Sequence, residues 1–264
     1  MPKFALHIDP PLMNASGSLG FAPHAHGLLE LSALGAFITN PISLAPRSPA
    51  RSPHLLAYPG GFLIHTGYPN PGINRVIRQH RARWGRSPIP VLVHLLCQNP
   101  DEVSAMVGRL EGVPDVSGLE LGVPPQADGQ TARAFAQALA QAAGGEFPVV
   151  LRLPLDRATS LADWLNDMDL AAISLGPPHG ELPGAQNELV SGRLYGPAIF
   201  PQALAAVHEL SRAGQRVIAA GGVYKPEQAQ AMLAAGAVAV QLDAVLWRGG
   251  WPKVESRPKP HNFE

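Results

Sequence analysis

The sequence holds one cysteine, Cys97, which excludes an internal disulfide and any iron–sulfur or other multi-cysteine cluster held by this chain alone. It also lacks net charge, because 20 basic side chains balance 20 acidic ones. That removes the broad basic footprint of a nucleic-acid-binding protein. No run reaches the roughly 18–20 apolar residues that span a bilayer. The opening MPKFALHIDPPLMNASG has no apolar h-region of a signal peptide. Charged residues are few (15%) against 46% hydrophobic, a composition opposite to that of disordered chains. With 264 residues the chain buries a core large enough to need no staples. The expectation is a cytoplasmic globular protein that takes a small molecule and has no nucleic-acid or membrane partner.

Proline (28) and glycine (27) are abundant, but they punctuate a repeating pattern instead of forming low-complexity tracts. Eight short apolar runs read as buried strands: 12–15, 36–39, 91–96, 118–121, 149–153, 171–175, 217–220 and 238–242. Between them lie segments of helical spacing at 24–34, 70–84, 100–110, 131–143, 160–167, 201–212 and 226–235. Pro100, Pro201 and Pro226 each open one, where a missing N–H costs nothing. Eight strands alternating with helices in about 250 residues is the arithmetic of a (β/α)₈ TIM barrel, with a doubly wound open sheet as the alternative. The barrel is predicted over residues 1–247. The Pro-rich stretch 248–264 has no helical period, so the last helix is expected to be truncated or missing and the tail irregular.

In a barrel, function is read at the C-terminal strand ends. These carry Asn14-Ala15-Ser16-Gly17, Thr39-Asn40, His94 to Cys97, Arg152, Ser174-Leu175-Gly176, Gly221-Gly222 and Asp243-Ala244. Gly221-Gly222 is either a tight turn or a phosphate cradle, where backbone N–H groups are open because no Cβ blocks them. Gly196 could face the same phosphate. His24, His26 and His94 sit in separate loops without a joining carboxylate, so no metal site is expected. The arginines 75, 78, 81, 83 and 86 around Trp84 read as a solvated helix face. The segment 46–61, between strand two and the next helix, reads as a mobile loop.

The succession MNASG (13–17), GAFITNPISLAPR (35–47), GYPNPG (67–72), GLEL (118–121), VVLRLP (149–154), YGPAIFP (195–201), IAAGGV (218–223) and AGAVAVQL (235–242) resembles the dihydroorotate dehydrogenases, and their soluble class most. The resemblance implies an FMN-dependent (β/α)₈ barrel. It places Ala15, Ser16 and Gly17 against the flavin ring, with Thr39, Asn40 and Arg152 around it. Gly196, Gly221 and Gly222 would lie at the phosphate, and Asn70 and Ser174 at the substrate. MNASG is informative because barrel closure as such does not demand that sequence.

Other positions depart from the family pattern. The Lys after Thr on strand two is Asn40, the Lys of strand five is Arg152, and the Asn after strand six is Ser174. The first Asn of the N-x-x-G-x-x-N pattern is Ile64, and the loop that should hold the Cys base reads LELGVPPQ from Leu119. The phosphate-binding Gly-Thr becomes Asp243-Ala244, and a carboxylate beside a phosphate dianion is repulsive by several kcal/mol at an effective dielectric of about 20. His65 and Cys97 are the substitute candidates for a catalytic base. Three functions are open. The first is an FMN oxidoreductase with an altered substrate, not oxidising dihydroorotate itself. The second is a flavin-free, noncatalytic subunit working with a partner chain, and the third is a barrel enzyme using the pocket without flavin. Homo- or hetero-oligomerisation is expected.

Overall fold

The computed structural model describes residues 6–24, 31–52, 54–162, 164–185, 188–247 and 250. The first third holds β1 (Leu12–Asn14), β2 (Phe37–Ile38), the hairpin β3 (His54–Tyr58) and β4 (Gly61–His65), and α1 (Ile73–Trp84). The middle holds β5 (Val91–Leu95), α2 (Pro100–Leu110), β6 (Val116–Gly122), α3 (Gly129–Ala143) and β7 (Val149–Pro154). Then come β8 (Ala172–Gly176), the hairpin β9 (His179–Pro183) and β10 (Leu189–Tyr195), and α4 (Phe200–Arg212). The last elements are β11 (Val217–Ala220), α5 (Pro226–Ala234), β12 (Ala239–Leu242) and α6 (Ala244–Trp247).

Eight strands form one parallel sheet in the order β1-β12-β11-β8-β7-β6-β5-β2, and a parallel bridge from Met13 to Ala36 joins its two ends. This is a (β/α)₈ barrel, as the eight apolar runs imply. Because both faces of each strand are covered, β5, β7, β8, β11 and β12 are buried at every position. Closure uses a side chain. Asn14 Nδ2 donates to the Ile38 carbonyl (2.8 Å) and its Oδ1 accepts from the Ile38 N–H (2.9 Å), standing in for a ladder rung between β1 and β2. Asn14 of MNASG thus adds a side-chain rung to the backbone bridge at the point of closure.

The helices end where their caps dictate. Asn99 accepts from Glu102 N–H ahead of Pro100, and Asp128 accepts from Thr131 N–H ahead of α3. Gly144 ends α3 in the left-handed region (φ 55°). Segment 160–167, expected as a helix, forms only short 3₁₀ turns. Ser160 Oγ takes a local backbone group instead, donating to the Arg157 carbonyl (2.9 Å). Of the expected helix at 24–34, a 3₁₀ turn at Leu31–Ala33 is seen and residues 25–30 lie outside the described ones. Trp84 is buried and donates to the Phe21 carbonyl (2.8 Å), while the arginines of α1 are exposed. The helix after β12 runs four residues, and the expectation for 248–264 falls outside the described residues except at Gly250.

Segment 46–61 departs most from its expected form, a loop. Its second half forms β3 and the β3–β4 turn. This hairpin pairs with β10, and β10 with β9, giving a four-stranded antiparallel sheet in the order β3-β4-β10-β9. These strands leave the barrel after β2 and after β8, so the sheet stands over its C-terminal mouth. Among the described residues, no helix is long and apolar enough to cross a membrane.

Candidate active site at the mouth of the barrel

Side chains alternate along a strand, so the two levels of the barrel interior are read by stepping two residues. The lower level is apolar and buried: Met13, Ile38, Leu92, Val150, Ala172, Ile218 and Ala239 form one cluster with Ala36. Two residues further along the same strands stand Ala15, Asn40, His94, Arg152, Ser174, Ala220 and Gln241, with Glu120 on β6. The barrel therefore changes from hydrocarbon to polar chemistry within one step of the pleat.

Glu120 is the centre of that upper level and is fully buried. Its Oε1 accepts from Ser174 Oγ (2.7 Å) and from Gln241 Nε2 (2.9 Å). Its Oε2 faces His94 Nδ1 (2.5 Å) and Arg152 Nη1 (3.7 Å). Four other strands thus converge on one carboxylate. Burial pushes this carboxyl up, but the hydrogen bond to His94 and the charge of Arg152 outweigh it and hold it down to about 2. His94 moves down as well, because burial and the charges of Arg152 and Arg193 outweigh the pull of Glu120. The consistent state is a Glu120 carboxylate compensated by Arg152, beside a neutral imidazole.

A cavity of about 210 Å³ opens above, lined by Arg47, His94, Cys97, Gly122, Arg152 and His179 among others. Two glycines shape it. A Cβ on Gly122 would stand 3.1 Å from His94 Nε2, and one on Gly176 3.2 Å from Arg152 Nε. A second cavity of about 310 Å³ adjoins it, sharing Arg47, Tyr68 and His179 and adding Arg193 from the antiparallel sheet. Arg193 stacks on the Tyr68 ring (3.7 Å). Among the described residues, no Asp or Glu lines either cavity.

The residues singled out from the sequence divide into groups. Arg152 and Ser174 meet at Glu120. Gly196, Gly221 and Gly222 also converge, all at positive φ (130°, 112° and 70°). A Cβ on Gly222 would lie 2.5 Å from the Phe200 nitrogen and 3.0 Å from the Gly196 carbonyl oxygen. Asp243 follows β12 level with Gly222, by extension of the Ala220–Gln241 register. Burial pushes its carboxyl up to about 6. Ala15, Ser16, Gly17, Thr39 and Asn40 gather at the ends of β1 and β2. Ser16 Oγ donates to the Thr39 carbonyl (2.8 Å), Thr39 Oγ1 accepts from His94 N–H (3.0 Å), and Asn40 accepts from Gly20 N–H (3.1 Å). Gly17 has φ 95°.

Asn70, Cys97 and His65 are placed as follows. Asn70, expected at the substrate, commits its amide to the loop. Oδ1 accepts from the N–H groups of Ser43 and Gly72, and Nδ2 donates to Ser43 Oγ and the Tyr68 carbonyl. Cys97 lines the cavity, its thiol packs on Met106 Sδ (3.6 Å), and burial pushes it up to about 12, which disfavours the thiolate. His65 is exposed at the end of β4 and reaches the second cavity, apart from the Glu120 network. The sequence alone did not single out Glu120, Gln241, Gly122 and Tyr195. Glu120 had a signal, a lone carboxylate within an apolar strand in phase with His94, Arg152, Ser174 and Gln241. Tyr195 is buried between Phe62 (5.8 Å, stacked) and Trp247 (5.1 Å), a contact that the sequence does not announce.

The comparisons with known proteins agree with this architecture. A family model described as dihydroorotate dehydrogenase matches residues 4–156. The catalytic subunit of dihydroorotate dehydrogenase B (NAD(+)) from Pelobacter propionicus is 30% identical over 263 residues, covering 90% of this chain and 84% of that protein. The protein of the same name from Desulforudis audaxviator is 28% identical over 256 residues, with 90% and 83% covered. In fold, the chain superposes on the crystal structure of DHODH in complex with ferulenol from Eimeria tenella with a TM-score of 0.73. That match is at 13% identity and covers 94% of this chain and 81% of the other. With its eight motifs in register on a closed (β/α)₈ barrel, the chain belongs to the dihydroorotate dehydrogenase family.

Proposed function

We propose that the protein is an FMN-dependent oxidoreductase acting on a small anionic substrate other than dihydroorotate. The observation that carries this reading is the mouth cavity, where Arg152 is anchored on buried Glu120 and Arg47, His94 and His179 complete a lining without a carboxylate. Cations held in a partly dry site recognise a substrate carboxylate through charge-assisted hydrogen bonds. β6 ends in Gly122 and the loop after it runs Val123-Pro124-Pro125-Gln126, which offers no Cys, Ser or Asn at the position of the family's base. That supports a substrate other than dihydroorotate.

The residues present fit FMN. The small platform Ala15–Gly17 leaves room, since the nearest atom to a Cβ on Gly17 would be Pro41 Cδ at 4.0 Å. Gly196, Gly221 and Gly222 would hold the phosphate through backbone N–H groups. Asp243 is the discordant group, and its burial supports a neutral carboxyl there. With the carboxyl already pushed up to about 6, a neighbouring dianion raises it further, so Asp243 meets the phosphate as a neutral donor. FMN bound there would supply a two-electron acceptor, while Arg152 orients the substrate anion and the antiparallel sheet keeps water out. The relatives named as catalytic subunits support association with a second chain, which the exposed Trp247 (42%) and Leu55 (70%) would help to bind.

The visible spectrum of freshly purified protein, with chromatography of the molecules that heat releases, tests the reading. Bound FMN is the expected result. A colourless protein that fails to take up added FMN would overturn it in favour of a flavin-free barrel.

A further inference from the structure

We propose that His94 is a general base whose cavity-facing Nε2 removes a proton from a carbon of the bound anion, and that Glu120 is the positioning residue that holds its tautomer and orientation. The inference deepens the proposed function by naming its base, and it rests on that reading only for the fate of the electron pair after the proton has moved.

The geometry has four parts. First, Glu120 Oε2 lies 2.5 Å from His94 Nδ1 and accepts its hydrogen, which leaves the lone pair on Nε2. Second, Nε2 has no hydrogen-bond partner among the described residues, and His94 lines the 210 Å³ cavity. Third, access to Nε2 depends on Gly122, where any Cβ would stand 3.1 Å from that atom. Fourth, Arg152 borders the same cavity, so an anion seated on its guanidinium brings the adjacent carbon towards the imidazole. Glu120 itself is unsuited to be the base. It is fully buried, and both oxygens are engaged by Ser174, Gln241, His94 and Arg152.

The step balances without an oxidant. The substrate C–H bond breaks, an N–H bond forms at Nε2, and the electron pair stays on the substrate, delocalised into the neighbouring carbonyl or carboxylate beside Arg152. The resulting imidazolium sits against the Glu120 carboxylate, as in other carboxylate-oriented histidine bases. The charged groups that act on His94 are Glu120 from β6, Arg152 from β7 and Arg193 from β10. Glu120 favours the proton on His94, whereas the two arginines and burial disfavour it, so the ring waits neutral.

The test is made on the full chain with two readouts that need no turnover. Long-range ¹H–¹⁵N correlation gives the tautomer and titration of His94. Diethyl pyrocarbonate, which acylates neutral imidazole, is mapped by peptide mass spectrometry. The expected result is a neutral Nδ1–H tautomer and modification of His94 in the folded protein. Gly122→Ala should lose the modification while keeping the tautomer, and Glu120→Gln should lower the His94 titration midpoint. An Nε2–H tautomer, or a His94 that reacts only after unfolding, would overturn the proposal. The flavin spectrum is recorded on the same samples. Colourless protein with a reactive His94 sinks the flavin reading and keeps the base, and yellow protein with an inert His94 does the reverse.

Discussion

Replacing Asp243 by Asn should stabilise the protein, and by an amount that depends on pH. The carboxyl is 8% exposed, and burial raises it from 3.8 to about 6. A raised folded value means that the folded chain binds this proton more tightly than the unfolded chain does. The stability it contributes is complete below about pH 3.8 and is lost as pH rises through about 6. At 1.36 kcal/mol per pH unit, the loss above pH 7 is about 3 kcal/mol. Asn reproduces the neutral acid and can still accept from Ala244 N–H, so it escapes the loss. Urea denaturation of both flavin-stripped proteins at pH 4 and pH 8 should give nearly equal stabilities at the lower pH. At the higher pH the variant should lead by about 3 kcal/mol, or about 5 °C in Tm for 264 residues. An offset that does not change with pH, or a variant less stable at pH 8, would refute the argument that Asp243 is buried at an energetic cost.

Glu120→Gln should act in the opposite sense. Its folded value is depressed from 4.5 to about 2, so wild type gains about 3 kcal/mol above pH 4.5 and loses it as pH falls towards 2. Acid unfolding of the variant should therefore be flatter across that window, and equal slopes would show that Glu120 is not held ionised. Cys97 should resist thiol reagents at pH 8 in the folded protein and react once urea unfolds it, because its thiol sits at about 12. Gly222→Ala should lose about 2 kcal/mol or more from its positive φ and the close approach of Phe200, measurable as a lower urea midpoint.

The barrel was legible because each strand is covered on both faces and so reads as an unbroken apolar run, separated from the next by segments with helical spacing. Pro100 and Pro226 mark helix starts for a local reason that a sequence carries in full. The hairpin strands β3, β4, β9 and β10 were not legible, because they are half exposed and β4 finds its partner in β10 more than a hundred residues away. Segment 46–61 reads as a loop by itself, and only the pairing of two distant excursions makes a sheet of these strands. The glycines at 196, 221 and 222 could be paired from sequence, whereas the side-chain rung that Asn14 adds at the point of closure could not.

What the sequence determined by itself was the alternation that closes into a barrel, and the strand-end positions at which chemistry has to sit. Both come from local periodicity and from the fixed direction of parallel strands. The tertiary structure decided which polar residues share a centre. Glu120, His94, Arg152, Ser174 and Gln241 lie on five strands spread over more than a hundred residues, and barrel curvature points them at one another. Whether a carboxylate among them is ionised depends on those contacts and on the water they exclude, which no single strand encodes.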